Sequence, residues 1–592
     1  MVTLNYLYKE KSSRMDEVKE RVMRQTMEAL LYEEIIEVSK NEREWSFTGK
    51  SATGDFVTYS CKADVKWSFG RIKLEKNSIK RKGKACSNIY LFLEEILQNN
   101  LEAPNTSQFI NELLETVAKD NQSKQFQLDQ IPEQDKNYEA LESHMVDGHP
   151  YHPSYKSRIG FSLADNFAYG PEFNQEVSIY WVAVNEQLVD VNVSKEMSFD
   201  EIVKHHVAEE EKNKIMEISK EKGSTDKKYV LLPVHPWQLE HQIQSVFAQQ
   251  LNDKDIVILG TSITPYRAQQ SIRSLSHRDN AEAPYIKFPL SITNTSTSRI
   301  LAHHTTQNAP LVSDWLHKVI KNDSLLSKGN TNILREVMGV SFRYDELDPI
   351  QYKSAYGTLG AIYRENVSTY LEDNEEAWPL NVLSLTQKNG ELFIQSAIDQ
   401  YGIEAWSDAL IEVVTLPIIH LLYAHGIALE SHAQNIILVV ENNLPKRIII
   451  KDLHDGVRYA PEHLLRPDLA PKLNPEPESH KKFNRYSFIQ TEDVSEVRDY
   501  TYDAFFFICM TEICFTFEKF GLSEKDFWCK CVDTITAYQN EYPQFKDRFD
   551  LFNLFSENAS IEEMSKRRIY GDGKLYFRKV KNPLLLAKEG RK

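Results

Sequence analysis

Two short apolar runs, Ile436 to Val440 and Ile448 to Ile450, are separated by the polar stretch Glu441 to Arg447 and flanked by chemistry-bearing side chains. Such a pair specifies a β-hairpin, with Glu441 to Arg447 as its turn. Glu430, His432, Gln434 and Asn435 lead into the first strand, and Asp452 and Asp455 follow the second. An antiparallel hairpin therefore brings an amide-rich side and a carboxylate side together, and hard cations such as Mg²⁺ take oxygen ligands in that arrangement. A surface hairpin with polar ends is the plainer alternative for any one of these residues.

The rest of the chain frames this element. Its 592 residues exceed what one hydrophobic core can organise, so roughly three or four domain-sized units are expected. A net charge of −16, from 86 acidic against 70 basic residues, argues against a general binder of nucleic acid or of anionic membranes. The N-terminal MVTLNYLYKEKSSR lacks the apolar core of a secretory signal, so a cytoplasmic location is expected. The most apolar segment, Val413 to Ala424, is short for a bilayer span and carries Pro417, which reads as a buried, kinked helix. The six cysteines form no disulfide framework, and Cys529 and Cys531 lack a matching pair for zinc; all are read as free thiols.

Val22, Met23, Met27, Leu30, Leu31 and Ile35 recur at helical spacing, which predicts an amphipathic helix from residue 15 to about 40. Strands are predicted at Val177 to Val184, Tyr229 to Pro233, Asp255 to Leu259 and Tyr285 to Leu290, and helices dominate from about residue 376. The fold class is thus mixed, α+β.

Three further clusters are candidates for anion binding. In Gln270-Ser271-Ile272-Arg273-Ser274, two hydroxyls and a guanidinium can chelate phosphate, although a polar turn with a solvated Arg has the same pattern. Lys287 sits in an apolar strand, where a charge needs a partner or an anion, and Arg299 closes the run Thr293 to Ser298. In GHPYHPSYKSR, His149 and His152 repeat three residues apart, with Lys156 and Arg158 close behind; a zinc reading there lacks a third ligand nearby. HPWQ, from His235, is read as a packed strand end. No GxxxxGK[ST], GxGxxG or GxSxG motif occurs. Protein kinases place a catalytic-loop Asn before a metal-binding Asp in the order seen at Asn435 and Asp452, but their other signatures are missing.

Taken in order, GHPYHPSYKSR, HPWQ, the Ser-x-Arg-Ser cluster, IKFPLSITNTSTSR, ALESHAQN, KDLHDG and Asn582-Pro583-Leu584 resemble the NRPS-independent siderophore (NIS) synthetases, the IucA/IucC or aerobactin synthetase-like family. The resemblance implies a hand-like, three-part architecture: a mainly helical thumb (1–140), mixed fingers (141–375) and a mainly helical palm (376–592) holding a kinase-like metal–nucleotide hairpin. It implies an ATP- and Mg²⁺-dependent carboxylate–amine ligase that adenylates a carboxylate, releases pyrophosphate and lets an amine displace AMP. By motif, Ser271, Arg273, Ser274, Gln434, Asn435 and Asp452 would hold ATP. Glu430, Asp452 and Asp455 would serve the metal, and Lys287, Arg299 and His432 the reacting centre, with His432 either a base or a phosphate ligand. His152, Lys156, Arg158 and Arg299 would seat the acid.

Two departures stand out: Ser274 replaces the family's usual Thr, and the spacing from Ser271 to Lys287 is longer than usual. The acid is citrate, a citryl monoamide or 2-oxoglutarate, with the basic residues after His152 favouring the first two. The amine, the siderophore and the oligomeric state, a homodimer in many family members, are not readable. A kinase-like phosphotransferase and a non-catalytic citrate or siderophore carrier are the rival readings.

Overall fold

The computed structural model describes residues 13–295, 297–481, 488–571 and 574–590. Ser296 of the Ser/Thr run and the first twelve residues lie outside them. The first helix, Ser13–Tyr32, buries Val18, Val22, Met23, Met27, Leu30 and Leu31 along one stripe. It is shorter than the sequence pattern predicts, because Glu34 takes a positive φ of 54° and Ile35 falls beyond the helix.

The segment after it adds a sheet to an N-terminal part expected to be mainly helical. Six short antiparallel strands lie between Val38 and Ala85. Trp45 and Phe47 on Glu44–Lys50, and Val57, Tyr59, Cys61 and Ala63 on Phe56–Val65, alternate inward with period two. That period belongs to a strand, and the helical stripe upstream conceals it in a reading by segments.

In the middle region, the three predicted strands before residue 260 appear as Tyr180–Asn185, Tyr229–Val234 and Ile256–Thr261, forming one antiparallel sheet with the first at its centre. A six-stranded antiparallel sheet follows, in the spatial order Tyr266–Ala268, Ser274–His277, Tyr285–Lys287, Gly360–Arg364, Glu336–Phe342, Val189–Val193. The single strand expected from Tyr285 to Leu290 is two strands, Tyr285–Lys287 and Leu290–Asn294. Pro289 has no N–H for a ladder, so the chain leaves one sheet there and enters a hairpin with Thr297–Arg299. Helix His303–Asn322 packs so closely on Glu336–Phe342 that a Cβ at Gly339 would lie 1.9 Å from the Thr306 carbonyl oxygen.

The hairpin near residue 440 is tighter than expected. Strands Ile436–Glu441 and Leu444–Ile450 are joined by Asn442 and Asn443 alone, at φ of 52° and 66°, a left-handed two-residue turn that asparagine tolerates. Pro445 is accommodated inside the return strand because the register shifts opposite it. Glu375–Pro379 and Asn332–Ile333 complete a four-stranded sheet. Behind it runs Ile403–His420, containing Pro417 and continuing as one π-helical turn to His425. This 23-residue helical run is long and apolar enough to cross a membrane, so the shorter apolar segment understated it; 67% of its most apolar window is buried inside the protein.

Two large hydrophobic cores result. One is built from 177–363 alone. The other joins the N-terminal residues from Val18 to the C-terminal ones up to Ala587. All six cysteines are free thiols.

Candidate active site

A cleft of about 1480 Å³ runs between these bodies. Its walls include His152, Lys156, Arg158, Ser271, Arg273, Lys287, Arg299, Glu430, His432, Gln434, Asn435, Asp452 and Asp455. These predicted site residues, spread over 303 positions from His152 to Asp455, thus share one space. Ser274 is not on that wall. It pairs across the sheet with Lys287, its backbone N–H donates to Ser271 Oγ (3.1 Å), and its own Oγ is buried without a partner. Ser271 and Arg273 sit in the turn between Tyr266–Ala268 and Ser274–His277, held by Ile272 at a φ of 71°. A β-branched residue in the left-handed region is strained, and such strain persists where the surroundings impose it.

The two loops flanking the Asn-Asn hairpin are stitched together through the backbone. Glu430 N–H donates to Gly456 O (2.7 Å) and Lys451 N–H to Asn435 O (2.9 Å), while the Asn435 side chain closes the first loop on itself, its Nδ2 donating to Glu430 O (3.0 Å). Gly456 is required at this crossing, since a Cβ would lie 2.2 Å from the Asp452 carbonyl oxygen and 3.4 Å from Glu430 Cβ. Gly456→Ala should therefore displace both loops, costing about 1–3 kcal/mol of stability. ATP affinity should fall with it, as calorimetric titration beside a thermal melt would register; an unchanged affinity would detach these loops from nucleotide binding.

Asp452 is the hub of the carboxylate side. It adopts a φ of 62°, and its Oδ1 accepts from Lys287 Nζ (3.1 Å) and Arg364 Nη1 (2.5 Å). Burial opposes its ionisation, but Lys287 and Arg364 outweigh that and hold its carboxyl well below the usual range. Lys287 also stands 3.2 Å from His454 Nε2, whose Nδ1 is 2.5 Å from Glu336 Oε1. Lys287 is thus the buried, partnered cation that its place in an apolar strand demands.

Arg273 and Arg299 are different. Arg273 donates to the carbonyl oxygens of Arg299 (3.0 Å) and Ile300 (2.8 Å). Arg299 donates to Asn294 O (3.1 Å) and Thr295 Oγ1 (3.0 Å), and its Nε is buried without a partner. Neither forms an ion pair among the described residues. Burial and then the Arg299 charge bring Arg273 down to about 10, and burial also lowers Arg299. Two guanidiniums held side by side in a cleft without carboxylate partners make a site for an anion.

The third cluster is split. His152 is buried and its Nε2 has no partner; burial and then the neighbouring His149 and Arg567, Arg568 and Arg299 keep it neutral. His149 Nδ1 accepts the N–H of Tyr151 and of His152 (3.1 Å each), which fixes its proton on Nε2, and burial lowers its pKa to about 3. Among the described residues, this pair belongs to no close group of three metal-ligating side chains. Lys156 is paired instead with Asp120 (2.9 Å), Glu172 (3.0 Å) and Val146 O (2.6 Å), and Arg158 with Glu172 (2.7 Å) and Asn166 (2.6 Å). Both therefore stand as internally neutralised cations rather than free ones. Burial opposes the ionisation of Glu172, but Arg158 and Lys156 bring it down to about 2.

For a metal, the donor chemistry fits a hard cation but the geometry is open. The Glu430 and Asp455 carboxylates, Asp452 Oδ2 and Asn435 Oδ1 are all oxygen donors on this wall. Glu430, Asp452 and Asp455 do not close to within shared-ligand distance; the tight group containing Asp452 has Glu336 and His454 instead. Mg²⁺ suits such a wall, because it keeps waters and takes one or two carboxylates with substrate phosphates.

Comparison with known proteins fits this geometry. The family model described as IucA / IucC family matches residues 137–385, and one described as ferric iron reductase FhuF-like transporter matches 404–575. A Staphylococcus aureus (strain NCTC 8325 / PS 47) protein, 2-[(L-alanin-3-ylcarbamoyl)methyl]-3-(2-aminoethylcarbamoyl)-2-hydroxypropanoate synthase, is 38% identical over 96% of this chain and 93% of its own length. This chain belongs to the IucA/IucC family. A Bacillus anthracis family member, citryl-spermidine/3,4-dihydroxybenzoyl-citryl-spermidine:spermidine ligase, is 36% identical over 97% of this chain and 94% of its own. The solved petrobactin biosynthesis protein AsbB from Bacillus anthracis str. Sterne superposes with a TM-score of 0.91 at 34% identity, covering 100% of this chain and 99% of that one. The IucA/IucC membership and the mixed α+β class expected from the motifs both hold.

Several residues in and behind this family member's cleft escaped the sequence reading. Arg364, Glu336 and His454 complete the network around Lys287 and Asp452, and Asp120 and Glu172 neutralise Lys156 and Arg158. His454 stood inside the KDLHDG motif and was the one findable signal; the others lie in ordinary strands and helices.

Proposed function

We propose that this protein is an ATP-dependent carboxylate–amine ligase of siderophore biosynthesis, which activates a carboxylate of citrate or of a citryl monoamide and joins it to an amine. The observation that carries this reading is the pair Arg273 and Arg299, half-buried and without ion-pair partners among the described residues, lining the same cleft as the oxygen donors Glu430, Asn435 and Asp455. A triphosphate needs cations placed in advance on one side, and Mg²⁺, when bound, supplies neutralising charge on the other. Two similar relatives are named for amide-forming reactions, one of them on citryl-spermidine.

In this reading a carboxylate oxygen attacks the α-phosphorus, the bond to the β-phosphate oxygen breaks and pyrophosphate leaves. The amine nitrogen then attacks the activated carbonyl carbon and AMP departs. Arg299 and Arg273 hold the phosphates, Lys287 braces Asp452, and His432 takes the proton that the amine loses. Neutral His152 donates its Nε2–H to the acid. Lys156 and Arg158 position that wall through Asp120 and Glu172. Residues 1–140, 141–375 and 376–592 correspond to thumb, fingers and palm, with the Asn435–Asp452 hairpin as the palm's nucleotide wall.

Product analysis with ATP, Mg²⁺, citrate and hydroxylamine tests the reaction. AMP, pyrophosphate and a citryl hydroxamate are expected; ADP and phosphate would overturn the adenylating mechanism. A citryl monoamide and 2-oxoglutarate, run in parallel, rank the acids. His152→Ala should raise KM for the acid roughly tenfold, the loss of one hydrogen bond to a charged group, with little change in KM for ATP. The reverse pattern would move His152 out of the acid pocket.

A further inference from the structure

Outside the cleft, three side chains distant in sequence converge where the apolar helical run ends. Asp323 follows helix His303–Asn322 and caps the next one, its Oδ1 accepting the N–H of Leu325 (2.9 Å) and Leu326 (3.0 Å). Its second oxygen, Oδ2, meets His420 Nε2 at 2.9 Å and His425 Nε2 at 3.0 Å. The candidate ligand atoms of the three lie within 4.8 Å of one another. The other nitrogen of His420, Nδ1, is fixed 2.8 Å from Tyr538 Oη. Tyr542 and Phe545 pack on the His420 ring, with centroids 5.9 and 6.3 Å away. None of the three residues lines the cleft.

We propose that Asp323, His420 and His425 form a binding site for a first-row divalent transition metal of the zinc class, with water in the remaining position. Several observations point the same way. In a tetrahedral zinc site with bonds of about 2.0–2.1 Å, neighbouring ligand atoms stand about 3.3 Å apart, so the two contacts seen here need only small adjustments. Two imidazoles and one carboxylate select zinc-like ions over Mg²⁺ or Ca²⁺. A ligating His characteristically has its other ring nitrogen held by a partner, as Tyr538 holds His420. The side chains are 15%, 3% and 8% exposed in the order Asp323, His420, His425, so Asp323 leaves a way in for the ion and its water while the aromatic rings wall off His420.

Binding balances without releasing a proton. Each imidazole with its single proton on Nε2 moves that proton to Nδ1, freeing the Nε2 lone pair for the metal. His420 then donates to Tyr538 Oη instead of accepting from it. The ion would tie the junction after helix His303–Asn322 to the end of the run Ile403–His425, and so the middle region to the C-terminal one.

The test is titration of chelator-treated full-length protein with Zn²⁺ and with Co²⁺, read by metal analysis after gel filtration and by Co²⁺ visible absorption. One equivalent per chain is expected, with a tetrahedral Co²⁺ spectrum. The equivalent should be lost in His425→Gln and in Asp323→Asn, the latter keeping the helix cap. Tyr538→Phe should bind about tenfold more weakly. Circular dichroism and hydroxamate formation establish that the variants are folded. Absence of a stoichiometric ion in the wild type would overturn the site. Equal binding by wild type and both ligand variants would also overturn it, assigning the ion to another group such as His304, Glu476 and His480.

Discussion

Arg299→Ala should lower ATP–pyrophosphate exchange by about 10²–10³-fold while leaving the thermal midpoint almost unchanged. The two halves of this expectation have different physical sources. Charge builds on the phosphate oxygens as pyrophosphate leaves, and a guanidinium already held in the cleft wall needs little reorganisation to stabilise it. Stability is spared because, among the described residues, Arg299 donates to Asn294 O and Thr295 Oγ1 and to no carboxylate, so its removal strands no buried charge there. It even relieves Arg273, whose pKa the Arg299 charge helps to depress to about 10. Arg299→Lys should recover only part of the rate, since an ammonium keeps the charge but not the fork. Turnover like that of the wild type in Arg299→Ala would remove the residue from the reacting centre.

Asp452→Asn should do the opposite to stability. Its carboxylate neutralises Lys287 and Arg364, both buried, and breaking such a pair by removing one partner costs about 3–5 kcal/mol. The midpoint of the first thermal transition should fall accordingly, and activity with it, because Lys287 loses the anchor that aims it. The pH dependence gives a second readout. A carboxyl held well below its unfolded value near 3.9 contributes stability that is present above that value and lost as the pH falls through the folded one. The wild type should therefore lose stability more steeply on acidification below about pH 4 than Asp452→Asn does. Equal slopes would mean that Asp452 is not the charge that balances this pair.

Legibility in the sequence followed the physics of each feature. The hairpin was readable because two apolar runs with polar ends allow few other structures, yet its turn is shorter than the expected Glu441 to Arg447, since Asn442 and Asn443 alone make it and a register shift absorbs Pro445. HPWQ proved to be the packed strand end its pattern suggested, with His235 Nδ1 accepting Trp237 N–H and Gln238 donating to Ser291 Oγ and Thr358 O. Asn582 is structural too, capping the final helix and donating to Leu554 O and Ser556 O. Lys156 and Arg158 show the limit. Their positive charge is visible in the sequence, but Asp120 and Glu172, which cancel it, are brought to them only by tertiary folding. The same holds for Arg364, an ordinary strand residue until Asp452 arrives beside it.

The joint core of the two chain ends has a consequence for synthesis. The cluster confined to 177–363 can close once that stretch has left the ribosome, whereas Tyr32 and Phe69 must wait for Phe507 and Trp528, the rings they pack against. At 5–20 residues per second, roughly the usual pace of translation, the interval is tens of seconds. During it the first helix and the strands after it have an uncovered apolar face. The nascent protein is in this respect an incomplete clasp, open to chaperones and proteases, that only its last hundred residues can fasten.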